Sequence, residues 1–376
     1  MSIDYSKVPS PSFILEEEKL LKNLELLKYV QEQAGIHIIC ALKGFSFHAA
    51  FPTLRKYLHG ATASSLHEAM LVHEKMGVKA HTYCPVYVPT EFEDIQAISS
   101  HLTFNSLSQW EAYKQKVDPS ISCGLRVNPA YSEITTEMYN PASPNSRLGI
   151  PHHLLGDSLP TGIEGIHFHA LCENTSHTLE RVLQSFKDLY HPLIKQAKWI
   201  NMGGGHFITR EDYEPEHLIQ ILKKFKQEYP NIEEIILELG SSVGYNTGVL
   251  VSTILDIVPN GAIPTAMLDV SFTCHMPDTL EMPYKPNIVG QVVNGPFQYK
   301  MGGMSCLAGD YVGSWYFEKE LKVGDRIIFE DMIHYTMVKT TTFNGINLPS
   351  LGIWTLEDRY QHIRSYGYED YKNRLS

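Results

Sequence analysis

From residue 36 to residue 240, short apolar or β-branched runs alternate with longer stretches that carry apolar residues at spacings of three and four. The short runs are typical of buried strands, and the longer stretches are typical of amphipathic helices. Eight candidate strands occur in this region, at 36–42, 60–64, 80–84, 101–105, 123–128, 165–170, 199–205 and 234–240. This count predicts an α/β fold, a closed (β/α)8 TIM-like barrel, with an open doubly wound sheet as the alternative.

Several of these predicted strands end in residues that a hydrophobic core does not need. Lys43 follows the first strand, Asn128 ends the fifth and His169 lies at the end of the sixth. The seventh ends in the glycines 203–205, and the eighth carries Glu238 near its end. Because all strands of such a barrel open on one face at their carboxyl ends, these features are expected to share one rim.

A second, mainly β domain is predicted after the barrel. Strand-like runs separated by proline and glycine occur at 248–258, 265–273, 288–293, 297–303, 325–331 and 335–343. The run SFILE at 12–16 is expected to join them. We therefore expect an N-terminal segment 1–34, a barrel over 35–247 and a β domain over 248–376. The Pro-, Ser- and Asn-rich segment 129–160 is interpreted as a functional loop over the barrel mouth.

Composition and charge narrow the classes of partner. The chain has 376 residues, 31 basic and 42 acidic, with a formal net charge of −11. This balance argues against nucleic acid or an anionic membrane as a partner, and suits a cationic ligand. The amino terminus lacks the basic and apolar regions of a signal peptide, so a cytoplasmic protein is expected. The six cysteines form no C-x-x-C pair, which disfavours a disulfide scaffold and a structural zinc site.

Each rim residue has a plain interpretation and a chemical one. Lys43 either reaches solvent or is a desolvated amine able to attack a carbonyl. The glycines form a flexible turn or offer backbone N–H groups to one phosphate. Glu238 pairs with Lys43 or with a protonated heterocycle. His169, like His167, is either a core histidine with its hydrogen bonds made or one of a metal-binding pair. No third and fourth ligand occurs at a spacing typical of metal sites, so no metal is predicted. Together the chemical interpretations predict pyridoxal phosphate.

The order of these motifs resembles one known family. The segments CALKG, HFHA, GGGHF, ELG, SCLAGD, HYT and TTTFNG occur in the order seen in fold-type III, alanine-racemase-like decarboxylases. The resemblance extends from PSPSFILEE to FNGIN. Three further segments, SRLGI, HFHALCE and CHMPDTLEMPYKP, look most like those of the carboxynorspermidine decarboxylases. The implied reaction is decarboxylation of carboxynorspermidine or carboxyspermidine in polyamine biosynthesis.

The resemblance also implies roles for individual residues. Lys43 would carry the cofactor, His169 would stack on its ring, and Glu238 would pair with the ring nitrogen. The phosphate would be held by Gly203, Gly204, Gly205, Gly240, Ser241 and Tyr335. Cys306 would protonate the carbanion, and Cys306 and Asp310 would be delivered across a homodimer interface.

Two departures from the family pattern concern recognition. Relatives commonly read E-P-G-R where this chain has ELGS, so Ser241 or backbone groups must replace an arginine. An acid that follows the cysteine in relatives is here Leu307. Recognition of the distal amine is therefore assigned to Glu173, Asp278, Glu281 or Asp310, and Arg147 is a candidate clamp for the substrate carboxylate. Each of these also fits a solvated surface residue.

Three other functions remain open at this point. One is decarboxylation of diaminopimelate or another basic amino acid. Another is non-catalytic binding of pyridoxal phosphate, which the large second domain disfavours. The third is a Schiff-base aldolase that uses Lys43 directly.

Overall fold

Eight parallel strands close into a barrel in the computed structural model, which describes residues 3–376. In order around the barrel, they are β2 (His37–Ala41), β3 (Gly60–Ala63), β4 (Ala80–Tyr83), β5 (Ser99–Phe104), β6 (Ser122–Arg126), β7 (Gly165–His167), β8 (Trp199–Asn201) and β9 (Glu234–Leu239). Strand β9 pairs with β2, with Glu238 opposite Ile39, and this pairing closes the sheet. The predicted (β/α)8 barrel is confirmed, and the open-sheet alternative is wrong.

Helices alternate with most of the barrel strands: one precedes β2, and the others follow β2, β3, β4, β5, β7, β8 and β9. They are α1 (Glu17–Ala34), α2 (Phe51–Leu54), α3 (Leu66–Leu71), α4 (Phe92–Ala97), α5 (Leu107–Tyr113), α6 (Ser176–Ile194), α7 (Pro215–Glu228) and α8 (Ser241–Gly244). The sequence marks some of their starts directly: Ser65 and Ser106 accept hydrogen bonds from backbone N–H groups three residues later and so cap α3 and α5.

One large side chain fills the barrel interior. Trp199 on β8 is buried, and its indole N–H donates to Ser122 Oγ at 2.8 Å. A Cβ atom at Gly124 on β6 or at Gly165 on β7 would overlap its ring, so both strands need glycine there. Ile39 and Ile236 pack against the same tryptophan. Around Trp199 the barrel interior is thus a packed core, and chemistry in such a barrel is expected at the carboxyl ends of the strands.

The second part of the fold is a nine-stranded sheet. Its strands are β1 (Ser12–Glu16), β10 (Gly248–Val258), β11 (Thr265–Leu268), β12 (Gln291–Val292), β13 (Phe297–Gly302), β14 (Tyr311–Phe317), β15 (Arg326–Glu330), β16 (Ser350–Trp354) and β17 (Tyr360–Arg364). Strand β1 lies between β10, which is antiparallel to it, and β16, which is parallel. The SFILE segment thus pairs within the C-terminal sheet, as the sequence predicts.

Two strand predictions in this region are wrong. The run 335–343 begins with a helix, α11 (Tyr335–Val338), and the run 265–273 ends at Leu268 and leads into α9 (Phe272–His275). The side chain of Ser271 accepts from Cys274 N and caps α9, a local preference that outweighs the β-branched pattern before it. The remaining short helices are α10 (Asp278–Glu281) and α12 (Tyr368–Lys372).

The chain divides into two compact units. One contains residues 3–22 and 244–376, and the other contains residues 23–243. Helix α1 runs through the first of these borders. Over residues 3–376, every helix is too short or too polar to cross a membrane.

A cluster of four histidines lies at the amino-terminal end of the barrel, opposite the predicted rim. The rings of His37 and His59 stack at 3.5 Å, and those of His81 and His101 stack at 4.0 Å. Glu234 at the start of β9 accepts from His37 and lies 3.8 Å from His101 Nε2. Burial, and then repulsion within the cluster, lower the pKa of His81 well below 6.5, and burial also lowers the pKa of His59 and His101.

This cluster predicts a protein that is sensitive to mild acid. Because the pKa of His81 is lowered on folding, the unfolded chain binds a proton first, so stability is full above about pH 6.5 and falls as the pH drops below it. The pKa of Glu234 is lowered by His37, so protonation of this carboxylate causes a further loss of stability at more acidic pH. The other charged groups that face the cluster are Glu164, near His101, and Arg55, near His59.

We expect the thermal unfolding midpoint to fall between about pH 7.5 and pH 5.5, and to fall less in a His81→Gln variant. Differential scanning fluorimetry of both proteins measures this difference. The surface variant His153→Ala, which changes an exposed histidine, is the matched control. Equal pH dependence in wild type and His81→Gln would contradict the role of the cluster.

Candidate active site

Lys43 lies in the turn that follows β2. The sequence suggests a side chain shielded from water, but the structure leaves it open to solvent at the mouth of the barrel. The surrounding protein atoms nevertheless desolvate its ammonium group, and Arg126 repels it, so the pKa of Lys43 lies below its ordinary value of 10.5. Glu238 opposes this shift. A lowered pKa increases the neutral fraction of the amine, the form that attacks a carbonyl.

Close approach of two backbones brings the Lys43 turn to the end of β9. A Cβ atom on Gly44 would lie 2.9 Å from the Cα atom of Gly240, so neither residue tolerates a side chain without a shift. The turn after β2 and the turn after β9 therefore pack directly against each other.

Glu238 is held by neighbours on the adjoining strands. Its Oε1 accepts from Asn201 Nδ2 at 2.8 Å, and its Oε2 lies 3.7 Å from His167 Nε2. Burial lowers the pKa of His167 to about 4, so this imidazole is neutral at neutral pH. Within residues 3–376, no ion pair within 4.0 Å joins Glu238 to Lys43, and the alternative of a structural ion pair is wrong. Glu238 therefore remains available to a cationic group in the mouth.

His169 connects the end of β7 to the glycine segment. Its Nδ1 accepts from the N–H of Gly204 at 2.9 Å. Burial, followed by the charges of Lys43 and Arg126, lowers the pKa of His169 well below 6.5. A neutral ring, with its orientation set by a backbone donor, is suited to lie flat against an aromatic group.

The three glycines are required by packing. Gly203 and Gly205 have φ of +68° and +87°, which disfavours other residues. A Cβ atom on Gly204 would overlap the carbonyl oxygen of Glu238. The N–H groups of Gly203 and Gly204 already donate to Asn201 Oδ1 and His169 Nδ1. The predicted phosphate contacts of this segment therefore depend on the backbone of Gly205.

A buried arginine in the barrel was missed by the sequence analysis. Arg126 ends β6, is 5% exposed, and lies 4.7 Å from the ring centroid of Tyr83. Its Nη2 donates to the carbonyl of His169 at 3.5 Å. Its sequence signal is an arginine inside the apolar run CGLRVN, two residues before Asn128, the residue predicted for the rim. Asn128 anchors the loop, donating to the carbonyl of Ser143 at 3.0 Å.

The loop after β6 is tied to the barrel at several points. Arg181 on α6 donates to both carboxylate oxygens of Glu133, and this pairing lowers the pKa of Glu133 to about 2. Asn105 donates to the carbonyl of Arg147 at 2.9 Å, while the Arg147 side chain is exposed. The backbone at Arg147 is thus fixed by a hydrogen bond, while its guanidinium group is exposed to solvent. Glu173, another candidate, is exposed with φ +56°.

In the sheet unit, Asp310 organises the loop that carries Cys306. Its Oδ1 accepts from Thr273 N and its Oδ2 from Ser305 N, each at 2.9 Å. Cys306 is exposed, and its N–H donates to Asn344 Oδ1 at 2.8 Å. The carboxylate of Asp310 is thus already occupied by backbone donors, which favours a positioning role over contact with a substrate.

Asp278 in α10 is a buried acid with spare hydrogen-bonding capacity. It is 7% exposed, and its Oδ2 accepts from Tyr284 Oη at 2.9 Å and from Thr336 Oγ1 at 2.7 Å. Its Oδ1 is buried and has no hydrogen-bond partner in the described residues. Tyr335, the predicted phosphate ligand, is the first residue of α11, adjacent to Thr336. A buried unpaired carboxylate oxygen is costly unless a donor satisfies it.

Comparison with known proteins identifies the family. A family profile described as "Pyridoxal-dependent decarboxylase, C-terminal sheet domain" matches residues 14–333. The chain belongs to the pyridoxal-dependent decarboxylase family. This decarboxylase is 45% identical over 373 residues to a carboxyaminopropylagmatine decarboxylase from Synechocystis sp., covering 98% of this chain and 96% of the relative. It is 42% identical to a carboxynorspermidine/carboxyspermidine decarboxylase from Campylobacter jejuni, covering 98% and 99%.

Solved structures agree with this placement. The crystal structure of carboxynorspermidine decarboxylase complexed with norspermidine from Campylobacter jejuni matches with a TM-score of 0.91 and 40% identity, covering 98% of this chain and 100% of that chain. Diaminopimelate decarboxylase from Helicobacter pylori matches with a TM-score of 0.81 at 17% identity, a level that shows only the shared fold. The predictions of the family and of a decarboxylase are confirmed.

The residues of the barrel mouth fit pyridoxal phosphate, the cofactor of this decarboxylase family. Packing leaves no room for a side chain at Gly203, Gly204 or Gly205. The two ring nitrogens of His167 are buried and have no hydrogen-bond partner in the described residues. Lys43 supplies an amine, His169 a flat neutral ring, and Glu238 an anionic group without a cationic partner in the described residues. When bound, the cofactor supplies an electron sink for the bond to the departing carbon dioxide.

Proposed function

We propose that this decarboxylase acts on carboxynorspermidine or carboxyspermidine and releases norspermidine or spermidine. In this reaction, the Cα–carboxylate bond breaks, carbon dioxide leaves, and a proton takes its place on the α-carbon. The observation that carries the proposal is the full-length match, with a TM-score of 0.91, to the Campylobacter jejuni structure complexed with norspermidine. A net charge of −11 also suits a polycationic substrate and product.

A second candidate substrate is carboxyaminopropylagmatine, because the Synechocystis relative is 45% identical over nearly the whole chain. This substrate ends in a guanidinium group where carboxyspermidine ends in an amine. Both ends are cationic donors, so a carboxylate such as Asp278 can accept from either.

Release of carbon dioxide from a panel of substrates distinguishes these functions. The panel contains carboxynorspermidine, carboxyspermidine, carboxyaminopropylagmatine and meso-diaminopimelate, compared by kcat/KM with purified holoenzyme. We expect the highest value with one of the first two. Preference for the agmatine derivative selects the second candidate, and preference for diaminopimelate overturns the proposal.

Each site residue is proposed to have a specific role toward the cofactor or the substrate. Lys43 binds the cofactor, His169 packs on its ring, and Glu238 holds a proton on the ring nitrogen. Gly205, with the turn at Gly240 and Ser241 and with Tyr335, binds the phosphate. A compact turn rich in free backbone N–H groups can replace the arginine that relatives carry. Arg147 is the proposed clamp for the substrate carboxylate.

The active unit is proposed to be a homodimer in the cytoplasm. Cys306 lies on an exposed loop whose shape depends on Asp310, as a group delivered to a second subunit would require. All six cysteines are free thiols, which suits a reducing compartment. Sedimentation velocity at micromolar concentration tests the dimer, and a monomer with full activity would contradict it.

Cys306→Ala is expected to slow turnover by roughly 10–100-fold while the cofactor stays bound, because proton delivery to the α-carbon then falls to water. Cofactor content, read from visible absorbance, should match wild type. Cys306→Ser should recover part of the rate because a hydroxyl also carries a proton. Unchanged turnover in Cys306→Ala would show that this thiol has no part in the reaction.

Asp278→Asn is expected to raise KM by roughly 10–100-fold with a smaller effect on kcat, because one charge-assisted hydrogen bond to the distal cation is lost. Asparagine keeps an oxygen for the Tyr284 and Thr336 donors and changes only the unpartnered Oδ1 into an amide. The matched control is Glu281→Gln, whose carboxylate already pairs with Lys339. An equal KM effect in the control would contradict the assignment of Asp278.

A further inference from the structure

Two histidines and two glutamates meet at the amino-terminal ends of α6 and α7. His177 and Glu180 belong to α6, Glu214 precedes α7, and His217 lies in its first turn; we call these four residues the α6–α7 cluster. The imidazole rings of His177 and His217 stack with centroids 4.0 Å apart. His177 Nε2 lies 3.0 Å from Glu214 Oε1, and His217 Nε2 lies 3.4 Å from Glu180 Oε2. None of these side chains is among the residues assigned above to the decarboxylation site.

We propose that the α6–α7 cluster binds a divalent transition-metal ion, best matched by Zn²⁺, with His177, Glu180 and His217 as its protein ligands. One potential ligand atom from each of these residues lies within 4.8 Å of the others. Imidazole nitrogen with carboxylate oxygen is a common zinc ligand set, and three protein ligands leave a fourth position for water or for Glu214.

The backbone places these ligands on facing sides of two packed helices. His177 and Glu180 are three residues apart on α6, so their side chains project from one face. His217 comes from the adjoining helix, and its Nδ1 is 2.9 Å from Ser176 Oγ, a fully buried hydroxyl. That hydrogen bond orients the ring and leaves Nε2 for the metal, the arrangement that metal-binding histidines typically show.

The charge of the cluster favours a cation at this point, and a small movement of its side chains gives the distances that zinc needs. The two carboxylates of the cluster carry a formal charge of −2, which one divalent ion balances. Zinc bonds of about 2.0–2.2 Å place ligand atoms roughly 3.3 Å apart, so the cluster needs to contract by about 1.5 Å. Rotation of the exposed Glu180 side chain and the half-buried His177 side chain supplies this movement, while Ser176 holds the His217 ring.

The competing interpretation is that the four residues form two His–Glu ion pairs at the helix seam and bind nothing. The same contacts would then serve only to hold the two helices together. Zinc titration distinguishes the two possibilities, because the ion pairs predict no tight equivalent of metal.

Isothermal titration of dialysed holoenzyme with ZnCl₂ tests the proposal. We expect one tight equivalent in wild type, lost in the double variant His177→Ala/His217→Ala, and retained in the control His153→Ala, which removes an exposed histidine of the same unit. Ser176→Ala should keep the stoichiometry and weaken affinity by roughly 10–100-fold, since only the orienting hydrogen bond is lost. Zinc should also raise the thermal midpoint of wild type and not that of the double variant.

Two results would overturn the site: no tight equivalent in wild type, or the same tight equivalent in the double variant. Cofactor absorbance and circular dichroism verify that the double variant is folded. Glu180→Gln, a change of one charge at an exposed position, gives an independent measure and is expected to weaken zinc by at least tenfold. Unchanged affinity in Glu180→Gln would remove this residue from the ligand set and contradict the proposal as stated. None of these readouts depends on which substrate is decarboxylated.

Discussion

Lys43→Ala is expected to lower the rate of decarboxylation on the order of 10³-fold or more and to remove the covalently held cofactor. Lys43 is the amine at the barrel mouth whose pKa is lowered by its surroundings, and alanine leaves no nucleophile at that position. Reduction of wild type with borohydride should fix the cofactor to the peptide that contains Lys43, and the same treatment of the variant should leave no adduct. Peptide mass spectrometry and carbon dioxide release provide the two measurements.

Lys56→Ala is the matched control for this experiment, because Lys56 is an exposed lysine of the same unit. Its activity and its reduced adduct should equal those of wild type. A reduced adduct on any lysine other than Lys43 in the wild-type protein would refute the assignment.

Glu238→Gln is expected to lower kcat by roughly 10²–10³-fold while cofactor content stays near wild type. Glutamine preserves the shape of the side chain but removes the negative charge that stabilises a proton on the nitrogen facing it. Asn201 and His167 are both uncharged at neutral pH, so neither replaces that charge. The comparison of kcat with cofactor occupancy separates loss of chemistry from loss of binding.

Glu234→Gln, at the opposite end of the same strand, is the matched control. It removes an equal charge from β9 in the histidine cluster, and its kcat at neutral pH should stay within about twofold of wild type, since solvent and distance screen such charges. If both variants lose activity to the same degree, the effect belongs to the strand and not to the carboxylate at the mouth.

The barrel strands could be predicted because their signals are local. The runs at 60–64 and 80–84 lie within one residue of the observed β3 and β4, since apolar strand residues and capping serines act over a few residues. The strand predicted at 335–343 is wrong because local signals mislead there. Tyr, Val and Thr favour strands, but α11 begins at Tyr335. Packing decided its conformation against local preference.

The chemical partners of the site residues were less predictable. Lys43 and Glu238 could be singled out as charged residues at the ends of apolar runs. Their hydrogen bonds depend on how neighbouring strands are staggered. Glu238 accepts from Asn201, and the N–H of Gly204 donates to His169. The sequence of the Asp310 region likewise allows a substrate ligand, whereas in the structure both carboxylate oxygens accept backbone N–H groups.

By itself, the sequence determined the barrel, the second β region, the lysine and the acid at the rim, and through motif order the decarboxylase family. Only the tertiary structure placed Arg126 against Tyr83, left one oxygen of Asp278 buried without a partner in the described residues, and brought His177 to His217. The cause is distance along the chain. Periodicity and helix caps depend on neighbouring residues, whereas contacts across strands and between helices depend on register and packing between distant segments.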